Sequence, residues 1–137
     1  MEADLERFVA AQAPVIEQVL AELRTGRKTS HWMWFVFPQI QGLGHSPMAQ
    51  RFAIASRAEA ESYLQHPVLG PRLRECTRLV NEIEGRSIEE IFGYPDHLKF
   101  RSSMTLFAHV SAQNQVFVDA VCKYFGGEYD SPTLDRL

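Results

Sequence analysis

Two groups of side chains in this sequence are able to do chemistry. The first is Lys28, His31, Trp32, Trp34 and Gln39, within the run KTSHWMWFVFPQ; the second is Lys99, Ser102 and Ser103, within KFRSSMTLF. Indole rings make flat apolar walls, while ammonium and hydroxyl groups supply hydrogen bonds, some of them charge-assisted. Together they suit a small anionic ligand that is phosphorylated or nucleotide-like. An imidazole ordinarily titrates near neutrality, so His31 is the candidate acid or base if a glycosidic or phosphoester bond of that ligand is hydrolysed. Arg24, Arg27 and Lys28 lie just before this run. They either favour an anion at the helix start that follows or complement the dipole of the helix that precedes.

Each group has a plainer reading. On a helix Lys99, Ser102, Ser103 and Leu106 share one face. Asp96 would then pair with Lys99, and the serines would bond back to helical carbonyls. The order Lys-x-x-Ser reverses the Ser-x-x-Lys nucleophile motif, so a lysine-activated serine has no specific support. His31 and Gln39 could equally tie down neighbouring backbone carbonyls, because an unsatisfied buried group costs about 1–3 kcal/mol.

The elements that must position these groups are helices. Residues 31–39 read as a short helix with Ser30 at its N-cap, apolar on every face and so surrounded by other elements. A buried strand is the competing reading for so short a run. Upstream, Ile16, Val19, Leu20 and Leu23 mark an amphipathic helix over 14–25, with Gly26 at its C′ position. Downstream, Ser46-Pro47 opens a helix through about Ala55, and Ser56 with Glu59 makes a capping box for 57–65. Pro71 starts a longer helix, and Ser87 with Glu90 is a second capping box. Asp96 to about His109 is helical, as is a segment capped by Asn114 or Ser111 and stopped by Gly126-Gly127. Ser131-Pro132 starts a last turn. Seven to nine helices and no convincing strand predict an all-α fold, a compact irregular bundle around the buried aromatic segment.

At 137 residues the chain is expected to form one domain, residues 1–137, and its 45% apolar and 23% charged content is that of a globular protein. A net charge of −3 argues against a dedicated nucleic-acid binder. No run of eighteen apolar residues or basic leader is evident, so a cytoplasmic location away from the membrane is expected. The histidines show no pair at three or four residues, and Cys76 and Cys122 match no ligand spacing, so no metal or cofactor is expected. The alternative to a ligand pocket is a non-catalytic module that binds another protein through a helical face.

The strings KTSHWMWFVFPQIQGLGHSPMAQRFAIAS, EAESYLQHPVLGPRLREC and IFGYPDHLKFRSSMTLF closely resemble an uncharacterised bacterial domain family, some of whose members carry the label calpastatin. The resemblance spans nearly the whole chain and implies a compact all-α fold. It implies no catalytic residues.

Overall fold

The computed structural model describes residues 4–137. Among them ten helical segments follow one another: α1 (Glu6–Gln12), α2 (Ile16–Thr25), α3 (Met33–Val36), α4 (Pro47–Arg51), α5 (Arg57–Gln65), α6 (Leu69–Glu82), α7 (Ile88–Phe92), α8 (Asp96–Val110), α9 (Gln115–Phe125) and α10 (Ser131–Leu134). The fold is all-α. Among the described residues the extended pairing is one isolated parallel bridge, Ile40 to Ile54, which staples the ends of the 41–53 loop.

Helix α8 is the axis of the molecule. Its residues from Ser102 to Ala108 are buried without a break, and α5, α7, α9 and α10 all pack on it. A helix enclosed on every side needs no polar face, which is why its sequence shows little amphipathic contrast. The aromatic segment docks on its N-terminal half: the Phe37 ring is 5.1 Å from Phe100, and Phe100 stacks on Phe92 at 4.9 Å. Each fully buried ring of this kind contributes on the order of 2–3 kcal/mol by leaving water.

Helix ends follow local chemistry in most places. Gly26 takes a left-handed φ of 82° and closes α2 by donating to Leu23, while Arg27 donates to Glu22. Ser87 and Glu90 form the full capping box at α7. Ser46 caps α4 with proline behind it, but α4 stops at Arg51 because Ile54 is drawn into the bridge. At α5 half of the expected box forms. The Ser56 side chain accepts from Glu59 N, whereas the Glu59 carboxylate turns to Arg7 and to Ala55 N.

The expected helix over 31–39 is a single turn, Met33–Val36, and Ser30 does not cap it. The Ser30 hydroxyl and amide both go instead to the Glu22 carboxylate. An ionised acceptor outcompetes a backbone capping role. At the other end of the chain Asp130, rather than Ser131, caps α10. Asn114 precedes α9 but sends its side-chain amide to Ala108 O.

Candidate functional site

Glu22 organises the approach to the aromatic segment. It is buried on α2, and its carboxylate accepts from Thr29 N at 2.7 Å, Ser30 N at 3.1 Å, Ser30 Oγ at 2.5 Å, Trp32 Nε1 at 3.0 Å and Gln18 Nε2 at 2.9 Å. Burial alone would raise its pKa. The donors of Ser30, Thr29, Gln18 and Trp32 outweigh that and hold it at about 2, against 4.5 ordinarily. A carboxylate so fully bonded is an anchor for the 29–32 turn and has no lone pair left for chemistry.

One turn further on, the sequence-predicted residues do converge, but on one another. Lys28 Nζ is 2.8 Å from Asp96 Oδ2, and Lys99 Nζ is 3.4 Å from Asp96 Oδ1. Each ammonium also lies over an indole, Lys28 at 5.2 Å from the Trp32 ring and Lys99 at 5.2 Å from the Trp34 ring. The result is a continuous ladder, Trp32–Lys28–Asp96–Lys99–Trp34. Both charges are spent inside it.

The other predicted residues lie elsewhere. Ser102 Oγ donates to Leu98 O at 3.2 Å and to Asp130 Oδ2 at 3.1 Å, so it docks the C-terminal turn onto α8. Ser103 is fully buried, and its hydroxyl has no partner among the described residues. His31, expected in a buried site, is exposed, because Glu22 turns the backbone at Ser30 and carries the next side chain outward. It lines none of the clefts described below. Gln39 and Trp34 border a closed space of about 10 Å³ with Ile40, Gly42, Gly44 and Ala53, room for about one water.

That space abuts an open groove of about 560 Å³ beneath the 41–53 loop. Its polar lining is Gln41, His45, Gln50 and Arg136, with Ile40, Ala53 and Ala55 as the apolar floor. Arg136 reaches it from the C-terminal turn, donating to Pro132 O at 3.0 Å and to Gly42 O at 3.4 Å. A Cβ on Gly42 would fall 2.8 Å from Arg136 Nε, so a glycine there lets the guanidinium lie against the loop. Among the described residues no carboxylate lines this groove. Gln41, His45, Gln50 and Arg136 are residues that sequence reasoning missed. Arg136 lies 94 residues from Gly42, and no local pattern signals such a contact. Glu22 had left a signal: it falls three residues after Val19, on the buried stripe of α2.

Among the described residues no group of three His, Cys, Asp or Glu side chains could hold a metal ion, and no helix is long and apolar enough to cross a membrane.

The comparisons with other proteins fit a helical fold of this size. The chain belongs to the family described as "Protein of unknown function (DUF1810)", whose model matches residues 2–137. It is similar along almost its whole length to a solved structure, the conserved hypothetical protein Rv1873 from Mycobacterium tuberculosis. The two are 62% identical with a TM-score of 0.97, over 98% of this chain and 96% of that one. No curated protein matches it.

Proposed function

We propose that this protein binds a small phosphorylated or nucleotide-like molecule in the groove beneath the 41–53 loop. One observation carries the reading. Among the described residues the groove offers a guanidinium, an imidazole and two side-chain amides with no carboxylate, and Arg136 there donates to backbone carbonyls alone. A guanidinium bound to neutral acceptors gains by exchanging them for a phosphate, which it can grip with two parallel hydrogen bonds. The volume falls within the range of small-molecule sites. Trp34, half-buried, borders the small space that abuts the groove. Hydrolysis of that ligand would use His45, the imidazole of the groove, to move the proton.

A thermal-shift screen of wild type and Arg136→Gln against nucleotides, sugar phosphates and simple anions tests this reading. A ligand at 100 times its Kd adds about 2.7 kcal/mol of stability. The expected result is a phosphorylated hit that Arg136→Gln loses. A hit of equal size in both proteins, or none at all, counts against the groove.

A second reading, a non-catalytic protein-binding module, rests on Tyr94 and Leu98. These are 80% and 44% exposed, Tyr94 in the turn that precedes α8 and Leu98 in the first turn of that helix. It expects partner capture that fails in Tyr94→Ser/Leu98→Ser and is indifferent to Arg136→Gln.

A further inference from the structure

The eleven arginines of this chain divide into two sets. Arg7, Arg57, Arg72, Arg74, Arg78, Arg101 and Arg136 each donate to a definite acceptor. Arg51 lies over the Phe52 ring. The remaining three, Arg24, Arg27 and Arg86, donate to no acceptor among the described residues, and Arg27 and Arg86 come together in one place. Both line a cleft of about 410 Å³ whose other walls are Gln18, Ala21, Glu22, Thr25 and Thr29. Arg86 is positioned by packing: a Cβ on Gly26 would lie 3.3 Å from its Cδ and Nε, so the side chain crosses the glycine that precedes Arg27.

Among the described residues the lining of that cleft holds two guanidinium groups and one carboxylate, Glu22, which is buried and already accepts five hydrogen bonds. Thr29 offers a hydroxyl with no partner among the described residues, whereas the Thr25 hydroxyl already donates its proton to Glu22 O. Glu89 and Glu90 line the adjoining cleft of about 350 Å³, on the other side of the same two arginines. Of these, Glu90 is committed to the capping box of α7. Arg27 and Arg86 thus border both clefts, and an anion meets fewer carboxylates in the one lined by Thr25 and Thr29. Two guanidinium forks with the Thr29 hydroxyl as a further donor suit the several oxygens of a phosphoryl group.

We infer that the cleft between α2 and the 84–87 turn is a second anion site, built by Arg27 and Arg86 with Thr29, and that it takes the diphosphate or phosphoryl group of a small molecule. It shares none of its residues with the Arg136 groove and stands whether or not that groove is a ligand site.

The test is a titration of inorganic pyrophosphate into the full chain, followed by ¹H–¹⁵N NMR. Saturable shifts are expected at the amides of Gly26 and Thr29 and at the Arg27 and Arg86 Nε–H groups. The variant Arg27→Gln/Arg86→Gln is expected to weaken that binding about tenfold or more, the loss of two charge-assisted contacts. Arg136→Gln is expected to leave it unchanged. Both arginines are exposed, so the variant's spectrum away from the cleft should superimpose on that of wild type. The absence of saturable shifts at these signals in wild type would overturn the inference. So would unchanged affinity in the double variant, or shifts confined to Gly42 and Gly44.

Discussion

The Asp96 carboxylate holds the Lys28 ammonium at 2.8 Å, with the Lys28 side chain 8% exposed and that of Asp96 19%. This pair joins the entry of the aromatic segment to the first turn of α8. It also explains why two lysines that resemble ligand contacts in the sequence are not free to act as such. Lys99 shares the carboxylate at 3.4 Å but is 25% exposed, so water screens its part of the bond.

Asp96→Ala is therefore expected to cost about 3 kcal/mol, because it strands a buried ammonium. Lys99→Met should cost no more than about 1 kcal/mol. Urea denaturation of the two variants measures the contrast. Equal losses would mean that Lys28 finds water or another acceptor when Asp96 is gone.

Glu22 sets a pH dependence whose sign is fixed by its lowered pKa. A carboxylate with a folded value of about 2, against 4.5 unfolded, binds its proton more readily in the unfolded chain. Its contribution is fully present above pH 4.5 and is lost as the pH falls from there towards 2. The drop is worth on the order of 3 kcal/mol at ~1.4 kcal/mol per pH unit. Glu22→Gln should be less stable near neutrality and should have a flatter stability profile between pH 4.5 and 2. Denaturant melts of both proteins across that range give the comparison, and parallel profiles would remove Glu22 as the cause.

Adjacent serines on α8 should behave oppositely. Ser102 donates to the Asp130 carboxylate, and Ser102→Ala is expected to cost about 2 kcal/mol, as for a hydrogen bond to a charged group. Ser103 hides a hydroxyl without a partner, so Ser103→Ala should be neutral or stabilising by about 1 kcal/mol. Thermal unfolding of the two single variants suffices. A destabilised Ser103→Ala would imply an acceptor or a buried water at that hydroxyl.

What could be read in the sequence, and what could not, follows from how far the decisive contact reaches. The capping box of Ser87 and Glu90 closes within three residues, and the glycine stop of α2 within five, so both were legible. The all-α architecture followed from such signals repeated along the chain. Ser30 was misread as a cap because its competitor, Glu22, stands eight residues upstream on another helix. Spacing on α8 correctly put Lys99, Ser102 and Ser103 on one stretch of helix. It also offered the Asp96–Lys99 pair and the bond of Ser102 back to a helical carbonyl, both of which form, but it could not show that Ser102 also reaches Asp130 or that Ser103 faces nothing polar. The groove depends on a contact between Gly42 and Arg136, 94 residues apart, and is legible only in three dimensions.

That long-range contact leads to a prediction coupling the core to the groove. Arg136 is held in place by α10, and α10 is held by Asp130, whose Oδ2 accepts from Ser102 Oγ at 3.1 Å, Thr133 N at 3.2 Å and Thr133 Oγ1 at 2.6 Å. Asp130 lies outside the groove lining. Asp130→Ala should cost about 3 kcal/mol, more than Ser102→Ala, because it removes the cap and the carboxylate partner of Ser102 and strands the buried Thr133 hydroxyl. It should also release Arg136 and reduce any groove-dependent thermal shift to the level of Arg136→Gln. Pyrophosphate shifts at Gly26 should persist, because the Arg27–Arg86 cleft has no contact with α10 in its lining. A variant that lost stability but kept the full thermal shift would show that Arg136 reaches the groove without the docked turn. The 41–53 loop, rather than the C-terminus, would then be what positions the anion.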